Sequence, residues 1–300
     1  MENTNVKTNT VSAQKKYKKR TPMGEVWHRL SKNKGAMVGG AFVLLLVFVA
    51  LFRDVLYDYD TQIVAQDLSQ RFIHPCLEHP FGTDNLGRDL FARVVYGTGS
   101  SLPVGVVAVL VALALGLPLG AIAGFFGGKL DDVIMRIMDI FAAVPGILMA
   151  IAMVAVLGTG TVGLMISIGV TAVPSFARIT RASVLSVRNQ EFVEAARAIG
   201  CNNLDIIFKH VIPNCLSPIV VQVSLRIGNS IITASSMSYL GLGVTPPMPE
   251  WGNLLSAGRT YIKDYSYLTM FPGLVIMLTV IAFNMLGDGL RDAMDPKLKN

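Results

Sequence analysis

The sequence has few charged residues for its length. Of 300 residues, 26 are basic and 20 acidic, so the charged fraction is 15 %, whereas soluble domains carry about 25 %. Apolar residues make up 52 %, and the mean hydropathy is +0.52. So few charged residues cannot cover the surface of a soluble globular protein of 300 residues. The high apolar content also excludes a disordered chain. The composition therefore indicates a membrane protein.

Motifs for catalysis are also missing. Gly128 and Lys129 resemble the end of a phosphate-binding loop, but Ala123 stands where that loop needs glycine and Leu130 where it needs Ser or Thr. Neither H-E-x-x-H nor G-x-S-x-G occurs. We therefore predict no catalytic residue, no ATPase activity and no bound cofactor for this chain.

Cysteine is scarce, with three residues and no C-x-x-C pair, so a disulfide framework is not expected. His74, Cys76 and His79 lie close together in a segment made irregular by prolines. We interpret them as incidental loop residues, because a metal site needs more ligands than this group supplies.

Six long segments are nearly free of charge. A helix of about 20 residues is ~30 Å long, which matches the hydrocarbon core of a bilayer, and no alternating barrel pattern is present. The sequence therefore predicts an all-α, polytopic protein. Its predicted transmembrane helices are 35–52, 100–127, 140–157, 162–177, 218–240 and 268–286.

The positions of Lys and Arg predict the orientation. With the N-terminus inside, the inner segments hold 19 basic residues and the outer loops hold 6. This bias predicts that both termini are cytoplasmic. The predicted regions are an N-terminal tail (1–34), a first span (35–52), an extracytoplasmic loop (53–99), a five-helix core (100–287) and a C-terminal tail (288–300). The basic run at 15–20 is interpreted as a topogenic signal rather than as a nucleic-acid site.

Two features within the spans concern packing and polarity. Gly116, Gly120, Gly124 and Gly128 recur at four-residue spacing, which places them on one helical face and predicts close contact with another helix. Arg226 interrupts the fifth span. It either lines a path through the membrane or has a packing or snorkelling role.

The inner loop 178–217 has the pattern of two short helices. The residues before Gly200 are strong helix formers, and glycine is a common C-terminal stop. Asn203 is a candidate cap for a second helix, which Pro213 follows. Apolar residues are predicted to share one face of each helix. The loop either rests on the membrane surface or docks into a groove of a cytoplasmic partner.

The outer loop contains a short segment, 82–89, with two glycines and close opposite charges. One interpretation is a self-satisfied turn in which Asp84 or Asp89 holds Arg88; the other is contact with a partner protein. Both readings stay open at this stage. The residues of the candidate contact are Gly82, Thr83, Asp84, Gly87, Arg88 and Asp89.

The inner loop resembles the signature of permease subunits of bacterial ATP-binding-cassette importers. That signature is E-A-A, three residues, Gly, nine residues, then I-x-L-P. Glu194, Ala195, Ala196, Gly200 and Pro213 match it, while His210 and Ile212 replace the usual Ile and Leu. Stretches 79–97, 235–255 and 284–297 are similar to the second permease of oligopeptide and dipeptide importers.

The resemblance implies the type I permease fold, a multi-pass location in the bacterial plasma (inner) membrane and a set of partners. The partners are a second permease that completes the translocation path, two ATPase subunits that bind ATP and Mg²⁺, and an extracytoplasmic solute-binding protein. The residues implied in coupling to the ATPases are Glu194, Ala195, Ala196, Gly200, Ile212 and Pro213.

Three functional hypotheses follow. The first is a permease for di- or oligopeptides, with nickel chelates, glutathione or another small solute as alternative substrates. The second is a membrane-embedded enzyme, for which no converging set of polar groups is evident. The third is a self-sufficient channel or carrier, which would transport without ATP.

Overall fold

The computed structural model describes residues 22–294, so the basic run at 15–20 and the residues after 294 lie outside it. The described part is helical and contains no β-strand. Its α-helices are α1 Pro22–Leu30, α2 Lys34–Leu56, α3 Leu90–Phe126, α4 Gly128–Ala143, α5 Gly146–Leu157, α6 Thr161–Val187, α7 Glu191–Ala198, α8 Asn203–Asp205, α9 Ile212–Asn214, α10 Leu216–Tyr239, α11 Trp251–Gly258 and α12 Tyr267–Met294.

Among the described helices, five qualify as candidate membrane spans, and a bent pair makes a sixth if it is counted as one span. α2, α3, α6, α10 and α12 are each long and apolar enough to cross a bilayer. α4 and α5 satisfy the same criteria only as a pair, with a bend of 92° between them. The prediction of an all-α, six-span protein is confirmed, with one span broken.

The third predicted span, 140–157, is broken at Pro145. Its helix stops at Ala143, and a new one begins at Gly146 after Val144 and Pro145, both with extended backbone ψ near +129°. Proline lacks an N–H and disfavours helical geometry in the residue before it. The break leaves irregular backbone within the helical bundle, which membrane proteins tolerate where it lines a cavity.

Two spans extend further than the apolar runs predicted. α3 begins at Leu90 rather than at residue 100, because the Asp89 side chain caps it through the Ala92 N–H at 2.7 Å. α6 continues to Val187, ten residues past its predicted end at 177. Arg178 and Arg181 lie in this extension, where they pair with Asp139 at 2.9 Å and with Asp131 at 2.5 Å, so α4 compensates their charges.

The glycine stripe of α3 packs against α6, as the spacing predicted. A Cβ added to Gly116 would lie 2.7 Å from the Phe176 Cβ, and one added to Gly124 would lie 2.9 Å from the Val184 Cβ. Gly120 is still tighter, against the Ala177 carbonyl. Gly128 was wrongly included in the stripe, because α3 ends at Phe126 and nothing lies within 4 Å of the Gly128 Cβ position.

The two ends of the bundle differ. We call the end where α2 begins and α12 finishes the terminal side; there Leu30, Ala36 and Ala293 form one apolar cluster. We call the opposite end the loop side. There the segment 57–89 folds over the starts of α3 and α12, with the ring of Phe72 stacked on Tyr265 at 4.2 Å and Phe81 on Phe271 at 4.0 Å.

Candidate cavity and the α6–α10 connection

A polar cavity of about 490 Å³ opens beside the break between α4 and α5. The break contributes Phe141, Ala142, Val144, Gly146 and Met149, α6 contributes Thr171, Pro174, Ser175, Arg178 and Ile179, and α10 contributes Gln222 and Arg226. Ser175 and Arg226 stand near the middle of their helices. The cavity therefore lies near mid-length of α6 and α10.

Arg226 reaches this cavity with its guanidinium. Its Nη2 donates a hydrogen bond to the Ser175 Oγ at 2.6 Å, and the Gln222 Nε2 donates to the same oxygen at 3.0 Å. Arg226 is half-buried. Arg226 therefore points across to α6 rather than along α10 toward the end of the span, and a role in lining a path stays a prediction.

The α6–α10 connection, residues 188–215, lies on the terminal side. The Arg188 guanidinium donates to the Gly124 carbonyl at the end of α3 at 2.8 Å, and the Ser217 hydroxyl donates to the Met294 carbonyl at 3.3 Å. The segment therefore shares the side on which the described termini lie.

The first helix of this connection ends as its sequence predicted. α7 stops at Ala198, and Gly200 follows with φ +86°. The Cys201 N–H donates to the Ala196 carbonyl at 3.1 Å, and the Gly200 N–H to the Arg197 carbonyl at 3.0 Å. A left-handed glycine after the helix, with such bonds back to its last carbonyls, is a common C-terminal stop.

The second half departs from the predicted helix. Asn202, rather than Asn203, is the cap, with its side chain accepting from the Asp205 N–H at 2.8 Å. A π-helical turn, Ile206–Val211, separates α8 from α9, and Pro213 lies within α9 instead of following the helix. A π-turn changes the phase of the side chains, so the predicted single apolar face does not form.

The connection therefore has two apolar sides. One side is buried against the ends of α3 and α6, in a cluster that includes Phe125, Val184 and Val187. The connection contributes Val193, Ala196, Ile206, Ile207 and Val211 to this cluster. The other faces outward: Ile199 is 80 % exposed, Leu204 59 % and Phe208 55 %. Of the signature residues, Glu194, Ala195, Gly200 and Pro213 are exposed, Ile212 is half-buried and Ala196 is buried.

The turn at 82–89 satisfies its own polar groups. Asp84 accepts from the Arg88 Nε at 2.7 Å and from the backbone N–H groups of Leu86 and Arg88. Thr83 is fully buried and donates to the Gln70 carbonyl at 2.5 Å, while Gly82 and Gly87 are also buried with positive φ. These contacts match the self-satisfied turn; contact with a partner stays a prediction for the half-buried Arg88 and Asp89.

The three candidate ligands on the loop side do not converge. The His79 Nδ1 lies 2.7 Å from an Asp89 carboxylate oxygen, and the His74 ring packs between Tyr265 and Tyr267. Cys76 is exposed. Within residues 22–294, no three His, Cys, Asp or Glu side chains are grouped to hold a metal ion.

Sequence reasoning missed a buried acid on the loop side. Glu250 is 1 % exposed and caps α11 through the Gly252 and Asn253 N–H groups at 3.1 and 3.0 Å, while the Ser101 hydroxyl donates to it at 3.2 Å. Burial raises the pKa of the Glu250 carboxyl above its usual range. The neighbouring Trp251 is also fully buried, and its indole N–H donates to the Val94 carbonyl at 3.0 Å.

Comparison with known proteins agrees with this architecture. Residues 116–300 match the family described as "Binding-protein-dependent transport system inner membrane component". Residues 21–75 match the "N-terminal TM domain of oligopeptide transport permease C".

Two curated relatives are similar over nearly their whole length. A glutathione transport system permease protein of Pectobacterium atrosepticum is 45 % identical over 94 % of this chain and 93 % of its own. A dipeptide transport system permease protein of Alkalihalophilus pseudofirmus is 46 % identical over 93 % of this chain and 91 % of its own.

A solved structure of an inward-facing methionine ABC transporter shares the fold. Its matching chain superimposes with a TM-score of 0.56 at 20 % identity, covering 68 % of this chain and 97 % of that chain. The six-span bundle, the E-A-A connection and the relatives agree. The chain belongs to the family of binding-protein-dependent transport system inner membrane components and is a multi-pass permease subunit of an ABC importer.

Proposed function

We propose that this permease pairs with a second, different permease to form a path for di- and oligopeptides, and that cytoplasmic ATPases drive it through the α6–α10 connection. In this proposal the terminal side is cytoplasmic, in agreement with the excess of Lys and Arg there. ATP and Mg²⁺ bind to the two ATPase subunits, because this chain has no phosphate loop. A solute-binding protein delivers the peptide on the loop side.

One observation carries the coupling proposal: three large apolar side chains are exposed together on the terminal side. Ile199, Leu204 and Phe208 extend from a connection whose opposite face is buried. Exposed apolar groups on a short helical element are typical of a surface that docks into a groove of another protein. The polar residues between them oppose simple burial in lipid: Asn202, Asn203, Asp205 and Lys209.

The connection is also built to transmit force. Val193 and Ile206 pack into the cluster that contains the ends of α3 and α6, and the Arg197 guanidinium lies 5.2 Å from the centre of the Phe125 ring. A displacement of the docking face would therefore move the ends of α3 and α6, and α6 lines the cavity. Such rigid-body movement of packed helices is a common basis of switching between conformations.

The test of coupling removes the apolar docking groups without changing the buried face. In the transporter assembled with its partners, we expect Leu204→Ser with Phe208→Ser to lower ATP-dependent uptake at least tenfold, because loss of two apolar anchors costs about 2 kcal/mol or more. The amount of ATPase that co-purifies with the variant permease should fall as well. Leu77→Ser, on a fully exposed leucine of the loop side, is the matched control and should leave both unchanged. Normal uptake by the double variant would contradict the proposed docking face.

Two observations bear on the substrate. One relative is named a dipeptide permease and another a glutathione permease, at almost equal identity, and glutathione is itself a modified tripeptide. We expect unlabelled dipeptides to compete with labelled dipeptide for uptake, and nickel chelates not to compete. Saturable nickel uptake that peptides fail to inhibit would reject the peptide proposal.

A further inference from the structure

Arg226 carries a charge that no carboxylate of the described chain compensates. Arg178, on the wall of the same cavity, pairs with Asp139, and Arg181 on α6 pairs with Asp131. Within residues 22–294, no carboxylate oxygen lies within 4.0 Å of the Arg226 guanidinium. A charge at the middle of a span is costly, and such residues usually have a partner or a role in transport.

Around Arg226, some hydrogen-bond donors have no acceptor among the described residues. The Ser175 Oγ accepts two hydrogen bonds, from Arg226 and from Gln222, which together use both of its lone pairs. The hydroxyl proton of Ser175 has no acceptor among the described residues, and the guanidinium has further N–H groups beyond the one that Ser175 receives. The cavity wall therefore presents a positive charge with several donors, and among the described residues the guanidinium makes one hydrogen bond, to Ser175.

We propose that Arg226 and Ser175 bind a carboxylate of the solute as it passes through the cavity, and that Gln222 holds Ser175 in position. The guanidinium fork fits a carboxylate with two parallel hydrogen bonds. A cavity of about 490 Å³ falls within the usual range for small-molecule sites. The inference rests on the proposed function, because a peptide with a free C-terminus brings at least one carboxylate.

The principal test measures uptake by the assembled transporter in proteoliposomes. With saturating alanyl-alanine, we expect Arg226→Gln to lower the maximal rate of ATP-dependent uptake about tenfold or more, since hydrogen bonds to a charged group are strong where water is scarce. Arg226→Lys should retain an intermediate rate, because it keeps the charge and loses the fork. Ser175→Ala should lower the rate less than Arg226→Gln. The apparent KM should change little, because the binding protein determines capture.

A binding measurement separates this role from a structural one. Saturation-transfer NMR on the transporter without its binding protein compares alanyl-alanine with its C-terminal amide. Wild type should give the larger signal with the free acid, and Arg226→Gln should give equal signals with both. Equal signals in wild type would overturn the proposal. A second result would also overturn it: fewer intact complexes recovered for Arg226→Gln, with equal NMR signals for the free acid and the amide in wild type. That result would indicate that Arg226 pairs with an acidic residue of the second permease.

Failure of the inference can be told from failure of the proposed function. If the wild-type complex takes up neither alanyl-alanine nor glutathione with ATP, the proposed function is wrong. If wild type transports and Arg226→Gln transports equally well, the function stands and the carboxylate site is rejected.

Discussion

Replacing Gly120 by alanine is expected to destabilise the permease by about 2 kcal/mol or more, since overpacking a tight contact costs 1–3 kcal/mol. The added Cβ would collide with the Ala177 carbonyl and lie 2.8 Å from the Thr180 Cβ on α6. Neither atom can move without shifting a helix, because both belong to or adjoin its backbone. The thermal midpoint of the purified protein in detergent, followed by loss of the monodisperse peak, measures the effect.

Gly273→Ala is the matched control for this substitution. Gly273 also lies inside a spanning helix, but the nearest atom to its Cβ position is the flexible Leu255 Cδ1 at 3.8 Å. Both changes gain the same helix propensity, about 1 kcal/mol, so their difference isolates the helix contact. Equal midpoints for the two variants would refute the role of Gly120 in α3–α6 packing.

Glu250→Ala should cost about 2 kcal/mol or more, because it leaves several buried donors without an acceptor. The carboxylate receives the N–H groups of Gly252 and Asn253 and the hydroxyl of Ser101, which joins α11 to α3. The same thermal measurement tests it. Asp58→Ala is the control, since Asp58 caps a helical turn from an exposed position, and its loss should lower the thermal midpoint less.

The effect of Glu250 also depends on pH in a defined direction. Burial raises the pKa of Glu250 in the folded state, so the folded chain binds a proton more tightly than the unfolded one. Its contribution to stability is therefore greatest below the unfolded pKa and declines as pH rises toward the folded pKa. The Glu250→Ala variant should lack this decline. If the stability of the variant declined with rising pH as much as that of the wild type, other titrating groups would be responsible for the decline.

The composition and the signature residues were sufficient to predict the fold class and the family. Low charge and six apolar runs imply spanning helices because backbone groups in lipid must bond within their own helix. The glycine spacing in α3 predicted close contact with another helix, which is α6 in the structure, and Gly200 predicted the end of α7. These predictions rest on local rules of helix geometry that hold in any packing arrangement.

Other features depended on contacts between residues far apart in the chain. The end of α6 could not be read from hydropathy, because Arg178 and Arg181 lie in a spanning helix only when α4 supplies Asp139 and Asp131. The burial of Glu250 likewise depends on Ser101, about 150 residues away. From sequence alone, a charged side chain is expected at the surface. A bonding partner on another helix allows it to lie within the bundle instead.

The sequence by itself determined that this chain is a six-span permease, since hydrophobic length and a short signature are local properties. Only the tertiary structure decided how its polar groups are arranged. It brings Arg226 and Gln222 of α10 to Ser175 of α6 beside a break at Pro145, and it exposes Leu204 and Phe208 through a π-turn. Pairing and burial are set by which helices pack together, and no local pattern contains that information.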